Sequence, residues 1–158
     1  MPVEIERKFL VKNDAWKLAC TDSVKIRDGL IAHSNGRKAR VRIMDGRGTI
    51  AVKGKERGFS RAEFEYAIPV SHAEEMLRTI CDDIILEKTR SFVPHAGLVW
   101  EVDVYDGILE GIMLAEVELK SEDQTIVFPE WIGAEITKDS SYKKVNMIAQ
   151  RMAAAKAP

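Results

Sequence analysis

Charged residues alternate with other residues at the start of the chain, in the segment VEIERKFLV (3–11). Successive side chains of an extended strand point to opposite faces, so Glu4, Glu6 and Lys8 share one face. Two carboxylates at this spacing lie about 6 to 7 Å apart and repel one another. A bound cation or a facing arginine would offset that repulsion. The segment therefore indicates a strand whose charged face binds ions.

The same two-faced pattern recurs along the chain. Charged residues that share a face of a predicted strand are Lys38, Arg40 and Arg42; Lys53 and Lys55; Arg61, Glu63 and Glu65; Lys88 and Arg90; Glu101 and Asp103; and Glu116 and Glu118. For any single strand, the simplest explanation is a half-buried sheet whose polar face meets water. The whole set favours a ligand-binding face, because these positions are almost entirely charged and are largely grouped by sign within each strand.

The elements that would position these residues are mostly strands. Segments rich in valine, isoleucine and aromatic residues end at turn signals such as Asn35-Gly36 and Asp45-Gly46. The predicted strands are 3–11, 23–33, 37–45, 49–56, 59–70, 83–93, 98–107 and 112–120. The predicted helices are 14–20, 71–81, which Ser71 would cap, and 140–156. We therefore expect one α+β domain over residues 1–158, with hairpins in an antiparallel sheet or barrel.

Composition argues against several classes of protein. The chain has 158 residues, enough for one domain with a substantial core. Its 24 Lys and Arg nearly balance its 25 Asp and Glu, so no specific nucleic-acid binding is expected. No apolar stretch approaches the roughly 18 residues of a membrane span, so no membrane association is expected. Cys20 and Cys81 lack metal-ligand spacing and are interpreted as free thiols, which favours a cytoplasmic location.

The opening motif and the order of the later segments resemble one known family. EIERK (4–8) resembles the ExExK signature of the CYTH superfamily, the triphosphate tunnel metalloenzymes. Further segments resemble the family's strands in the same order: Arg40 and Arg42, Lys53, SRAEFE (60–65), EKTR (87–90), WEVDV (100–104), AEVELKSED (115–123) and ITKDSSYKK (136–144). The likeness covers nearly the whole chain, and it is greatest to the short single-domain bacterial inorganic tripolyphosphatases.

This resemblance implies a closed antiparallel eight-stranded β-barrel with helices outside and a hydrophilic tunnel inside. It implies a divalent metal ion, Mg²⁺ or Mn²⁺, bound by Glu4, Glu6, Glu116 and Glu118. The implied phosphate-binding residues are Lys8, Arg40, Arg42, Lys53, Arg61, Lys88, Arg90 and Lys143. Lys8, Glu6 and Lys88 would act in catalysis. The residues that would either hold a second metal ion or orient the arginines are Glu63, Glu65, Glu101 and Asp103.

The activity that the resemblance implies is divalent-metal-dependent hydrolysis of a triphosphate, either inorganic tripolyphosphate or a nucleoside or thiamine triphosphate. Two alternatives stay open: a class IV-type adenylate cyclase, and a non-catalytic module that binds polyphosphate or nucleotides. The expected partner is a small-molecule triphosphate or polyphosphate, and an amphipathic C-terminal helix leaves a homodimer open. Leu30 stands where the tripolyphosphatases tend to have an aromatic residue, so the organic part of the substrate also stays open.

Overall fold

The computed structural model describes residues 2–82 and 84–157. Its strands are β1 (Val3–Val11), β2 (Asp22–Ser34), β3 (Arg37–Met44), β4 (Arg47–Lys53), β5 (Ser60–Ile68), β6 (Leu86–His95), β7 (Leu98–Tyr105), β8 (Met113–Glu118) and β9 (Ile132–Glu135). Its α-helices are α1 (Trp16–Ala19), α2 (Val70–Thr79) and α3 (Lys144–Lys156).

Strands β1 to β8 form a closed antiparallel barrel. Neighbouring strands follow the order β5-β4-β3-β2-β6-β7-β8-β1, and β1 also pairs with β5. In the closing contact, Glu4 pairs with Arg61 and Ile5 pairs with Ser60. Strand β9 lies beside the other end of β1. The predicted closed eight-stranded barrel is therefore confirmed.

Tight hairpin turns set the register of the barrel. Asn35 and Gly36 have φ angles of 50° and 77°, and Asp45 and Gly46 have φ angles of 51° and 69°. A two-residue turn with positive φ at both positions matches the right-handed twist of the strands that it joins. Because these turns fix both ends of β3, Lys38, Arg40 and Arg42 fall on one face.

Apolar clusters cover the outside of the barrel. One cluster includes Phe9, Trp16, Trp100, Val117 and Trp131. Another packs α2 against β3 and β4 through Val41, Ile43, Ala73 and Leu77. A Cβ at Gly48 would lie 2.8 Å from the Cβ of Ala73, so the glycine lets α2 approach β4 closely. These contacts fix the outer face of each strand and thereby the direction of its inner side chains.

Apolar side chains fill one end of the barrel. This apolar plug consists of Leu86, Tyr105, Leu109, Leu114, Ile136 and Met147. Met147 comes from α3, so the last helix closes this end. The inner charged side chains lie between the plug and the opposite end, which we call the mouth. The mouth includes the turns 45–46 and 96–97, because the turn between β2 and β3 and the loop 54–59 lie at the same end of the strands as the connection between β7 and β8 that carries Leu109.

The structure differs from the sequence prediction in local details. Strand β9 is absent from the prediction, and residues 140–142 form a short 3-10 turn, so the last helix begins at Lys144. The predicted Ser71 cap is wrong, because Pro69 precedes α2 and Ser71 lies inside its first turn. The predicted strand 83–93 begins at Leu86, and its first position lies outside the described residues. Within the described ranges, no helix combines the length and the apolar character needed to cross a bilayer.

Candidate active site inside the barrel

Strand register places the predicted charged residues on the inner face of the barrel. Directly opposed pairs are Glu4 and Arg61, Glu6 and Glu118, Lys8 and Glu116, Asp28 and Arg42, Lys53 and Glu63, Arg90 and Asp103, and Glu101 and Glu116. Opposed residues of an antiparallel pair point to the same face. Arg40 and Glu65 share that face because both lie opposite Ala51, and Lys88 shares it as the second residue before Arg90.

A buried ion cluster lies next to the apolar plug. Asp103 is 0% exposed, and its Oδ2 lies 2.5 Å from Nζ of Lys88. Arg90 donates two hydrogen bonds to the same carboxylate, at 2.8 and 2.9 Å. Burial opposes the ionisation of Asp103, but Lys88 and Arg90 hold its pKa below the usual range. Asp103 therefore orients two cations at the deep end of the interior.

A second buried ion pair faces this cluster from β2 and β3. The Nε and Nη2 atoms of Arg42 donate to the two carboxylate oxygens of Asp28 at 2.6 and 2.8 Å. Nζ of Lys144, the first residue of α3, lies 3.6 Å from Oδ2 of Asp28. Burial, and then the positive charge of Lys88, lower the pKa of Lys144 well below its usual range. The deep end thus has more cations than its two aspartates neutralise, which suits a phosphate.

Lys8 connects the two carboxylates that flank it at mid-depth. Its Nζ lies 3.3 Å from Oε1 of Glu6 and 3.4 Å from Oε1 of Glu116. Burial opposes the charge of Lys8, but Glu116 and Glu6 raise its pKa above the usual range. In return, Lys8 and Arg90 hold the pKa of Glu116 well below its usual range despite the burial of that carboxyl group. Glu116 is therefore engaged with cations on two sides.

Where β1 meets β5, a network of ion pairs joins β1, β4 and β5. Nε of Arg61 donates to Oε2 of Glu4 at 2.7 Å, and Nζ of Lys53 lies 3.3 Å from the same oxygen. Lys53 also lies 3.0 Å from Glu63, and Arg61 lies 3.3 Å from Glu56 in the loop 54–59. The network holds the ends of these strands together and keeps two cations facing inward.

Glu6 and Glu118 bring two carboxylates together in the interior. They lie directly opposite one another on β1 and β8. Burial and then Glu116 raise the pKa of Glu6, while burial and then Glu4 and Glu6 raise the pKa of Glu118. Over residues 2–82 and 84–157, no carboxylate, histidine or cysteine group forms a preformed metal cage. Mg²⁺ needs only one or two carboxylates if water and phosphate oxygens complete its shell, so these glutamates fit such an ion.

The remaining predicted carboxylates contact arginines. Glu65 lies 3.4 Å from Nη2 of Arg40, and Glu101 lies 2.5 Å from Nη1 of Arg90. Burial raises the pKa of Glu101 to about 7 despite this contact, because Glu116 and Asp103 add negative charge nearby. Together with Glu63 and Asp103, these residues all hold a lysine or an arginine in place.

Lys143 lies outside this arrangement. It precedes α3 and its side chain is exposed, whereas the next residue, Lys144, reaches Asp28 inside the barrel. Sequence reasoning also missed Asp28 and Lys144 as members of the interior, and it placed Lys38 on the charged face of β3 without naming it as a phosphate-binding residue. The period of two could have identified Asp28, because this carboxylate shares one face of its strand with the apolar residues Val24 and Leu30.

The hydroxyl group of Tyr105 gives a testable stability prediction. Tyr105 is 2% exposed, and its hydroxyl has no hydrogen-bond partner among the described residues. A buried polar atom without a partner costs free energy. We therefore expect Tyr105→Phe to keep or raise the free energy of unfolding, by up to about 1 kcal/mol, in urea denaturation. Tyr66→Phe, at an exposed tyrosine, is the control; a loss above about 1 kcal/mol in Tyr105→Phe would contradict the prediction.

A closed barrel with an ionic interior is the architecture of CYTH domain proteins, and the chain belongs to this family. The CYTH domain model matches residues 2–150. An inorganic triphosphatase of Acetivibrio thermocellus is 40% identical over 148 residues, covering 94% of this chain and 94% of that protein. An inorganic triphosphatase of Nitrosomonas europaea is 38% identical over 144 residues, covering 89% of this chain and 93% of that protein.

Solved structures with a similar fold include an inorganic triphosphatase. A crystal structure of an inorganic triphosphatase superimposes with a TM-score of 0.63 at 31% identity, covering 92% of this chain and 97% of that chain. A Hippeastrum protein, studied as an adenylyl cyclase candidate and described as having a dominant triphosphatase activity, superimposes with a TM-score of 0.58. At 14% identity, with 77% of this chain and 80% of that chain covered, this second likeness concerns the fold alone.

Proposed function

We propose that the protein is a divalent-metal-dependent triphosphatase that hydrolyses inorganic tripolyphosphate inside the barrel. The observation that carries the proposal is the division of one interior into two kinds of lining. Excess carboxylates lie at Glu6 and Glu118, while cations converge on the deep end around Asp28 and Asp103. A metal–polyphosphate complex matches both linings. The names and the coverage of the two bacterial relatives support the same activity.

The metal ion would be bound by Glu4, Glu6 and Glu118. Bound there, Mg²⁺ or Mn²⁺ supplies charge neutralisation and lowers the pKa of a water molecule. Glu116 contributes less to metal binding, because Lys8 and Arg90 already engage it. Glu4 can accept the metal if Arg61 and Lys53 move toward phosphate oxygens. The rates of phosphate release with Mg²⁺ and with Mn²⁺ would identify which of the two ions the protein uses.

The cations would bind and orient the phosphate chain. Phosphoryl transfer asks the protein mainly for positioning and charge neutralisation. Arg42 and Arg90 are already held by bidentate contacts to aspartates, so their remaining N–H groups are fixed in direction. Lys88 and Lys8 present single charges at the deep end and at mid-depth. Lys144 takes the place that the sequence predicts for Lys143.

Glu63, Glu65, Glu101 and Asp103 act in this proposal as orienting carboxylates and not as ligands of a second metal ion. Each of them contacts a lysine or an arginine of the interior, at distances between 2.5 and 3.4 Å. A carboxylate in that position fixes the donor that phosphate needs.

Product analysis tests the proposed activity. We expect phosphate release from tripolyphosphate with Mg²⁺ or Mn²⁺ and none with EDTA. We expect Arg40→Ala to lower kcat/KM by about 10- to 100-fold, because a charge-assisted hydrogen bond to phosphate is lost. The partner Glu65 is exposed, so this variant should fold. Arg47→Ala, at an exposed arginine next to a turn, is the control and should match the wild type.

The other outcomes of this experiment are distinct. Cyclic AMP and pyrophosphate from ATP would indicate an adenylate cyclase. Tight binding of tripolyphosphate without turnover under any metal would indicate a binding module. Equal phosphate release with and without chelator would contradict the metal-dependent mechanism.

A further inference from the structure

Lys38 differs from every other cation of the described interior. It lies opposite Lys53 and two residues before Arg40, so its side chain faces inward from β3. The other inward lysines and arginines each have a carboxylate oxygen within 4 Å: Lys8, Arg40, Arg42, Lys53, Arg61, Lys88, Arg90 and Lys144. Within residues 2–82 and 84–157, Lys38 has no such partner.

The groups that face Lys38 are positively charged. They are Arg61 on β5, Lys8 on β1, Lys53 on β4 and Arg40 on β3. Burial, and then these four charges, lower the pKa of Lys38 to about 8. The carboxylates of the network between β1, β4 and β5, Glu4 and Glu63, are engaged with Arg61 and Lys53. An unpaired cation among other cations would be stabilised by binding an anion from solution. Lys38 is accessible to such an anion because its side chain is only half-buried.

The position of Lys38 also defines which phosphate it can reach. Arg42, Arg40 and Lys38 occupy successive inward positions of β3, each about 6 to 7 Å from the next. Arg42 lies next to Asp28, whereas Lys38 lies next to the turn between β2 and β3. A phosphate chain bound at Arg42 must therefore extend past Arg40 before it reaches Lys38.

We propose that Lys38 binds the phosphate group farthest from Arg42 and thereby selects a triphosphate chain over pyrophosphate. This inference rests on the proposed function, because it assigns a specificity role within the same interior. A pyrophosphate ion bound at Arg42 would not reach Lys38, so it would gain nothing from that charge. A third phosphate group would gain a charge-assisted contact and would also relieve the repulsion among the five cations.

Substitution of Lys38 by methionine tests the proposal. We expect Lys38→Met to raise KM for tripolyphosphate by about tenfold or more, with kcat within about twofold of the wild type. The inhibition constant of pyrophosphate, measured as a competitor, should not change. Lys38→Arg should restore the low KM. Lys25→Met, at an exposed lysine on the outside of β2, is the control and should behave as the wild type.

The pH dependence of tripolyphosphate affinity distinguishes phosphate binding by Lys38 from a purely structural role, which would not change it. Lys38 is charged below its pKa, so the wild-type affinity for tripolyphosphate should fall more steeply above about pH 8 than that of Lys38→Arg. The ligand-free Lys38→Met variant should keep the thermal stability of the wild type, because the change removes a repelled charge. If Lys38→Met is poorly folded, the comparison of Lys38→Arg with the wild type still decides the question.

Two results would overturn the proposal: an unchanged KM for tripolyphosphate in Lys38→Met, or an equal weakening of tripolyphosphate and pyrophosphate. The experiments distinguish an error in the proposed function from an error in the role proposed for Lys38. If the wild type shows no turnover, calorimetry of tripolyphosphate binding to wild type and Lys38→Met still measures the contribution of Lys38. A loss of affinity in that experiment supports the subsite even in a protein that does not hydrolyse its ligand.

Discussion

Replacing Arg90 by alanine is expected to lower the free energy of unfolding by about 3 to 5 kcal/mol and to lower kcat/KM by at least about 100-fold. Arg90 donates two hydrogen bonds to Asp103, which is 0% exposed. Without the guanidinium, that buried carboxylate keeps only Lys88 as its partner. The phosphate chain also loses a donor that was fixed in direction. Urea denaturation measures the stability, and phosphate release from tripolyphosphate measures the activity.

The chain offers a matched arginine on the outside of the barrel. Arg7 donates two hydrogen bonds to Glu135, both at 2.7 Å, but Glu135 is partly exposed to solvent. A pair in that setting is worth about 0 to 1 kcal/mol, so we expect Arg7→Ala to cost far less stability and to leave kcat unchanged. Equal losses of stability in the two variants would contradict the importance that we assign to burial.

The interior of the barrel gives a physical reason for these large effects. A buried ion pair loses hydration of both groups, and replacing the pair by apolar residues often makes a protein more stable. The barrel keeps its ionic interior nonetheless. Because Asp28 and Asp103 hold Arg42 and Arg90 in fixed orientations, the donors do not need to reorganise when a phosphate chain arrives. The ionic interior thus lowers the stability of the fold, but it binds the phosphate chain with donors that are already oriented.

The alternation of charged and apolar residues was enough to predict the barrel lining on β1, β3 and β5 to β8. A strand has a period of two, so each charged face in the sequence becomes a charged face in the fold. The family resemblance supplied the closure of the barrel, which alternation alone does not specify. Closure depends on the pairing of β1 with β5, between residues about 57 positions apart in the case of Glu4 and Arg61.

The residues that sequence reasoning missed lie where tertiary packing decides the direction of a side chain. Lys143 and Lys144 are adjacent, and the rotation of α3 about its axis decides which of them enters the barrel. That rotation is set by Met147, which packs in the apolar plug. Strand β9 has four residues and, among the described strands, pairs only with β1, so its sequence alone carries little signal.

Replacing Glu118 by glutamine is expected to lower metal-dependent activity by at least about 100-fold while leaving stability equal or higher. Glu118 has no cation within 4 Å in the described part of the chain, and it lies opposite Glu6. Burial and then Glu4 and Glu6 raise its pKa. A carboxyl group whose pKa is raised by folding is less stable as an anion in the folded state, so its charge opposes folding near neutral pH. Removing the charge removes this penalty together with a metal ligand.

Two measurements separate these effects of Glu118→Gln. Titration of activity with Mn²⁺ should show a higher metal concentration at half-maximal rate, and thermal unfolding without metal should give a Tm no lower than that of the wild type. Glu110→Gln, at an exposed glutamate away from the barrel interior, controls for the change of charge. A lower Tm in Glu118→Gln would mean that Glu118 is a structural partner. Full activity at low Mn²⁺ would assign the metal to other carboxylates, because an amide is a much weaker ligand than the carboxylate that it replaces.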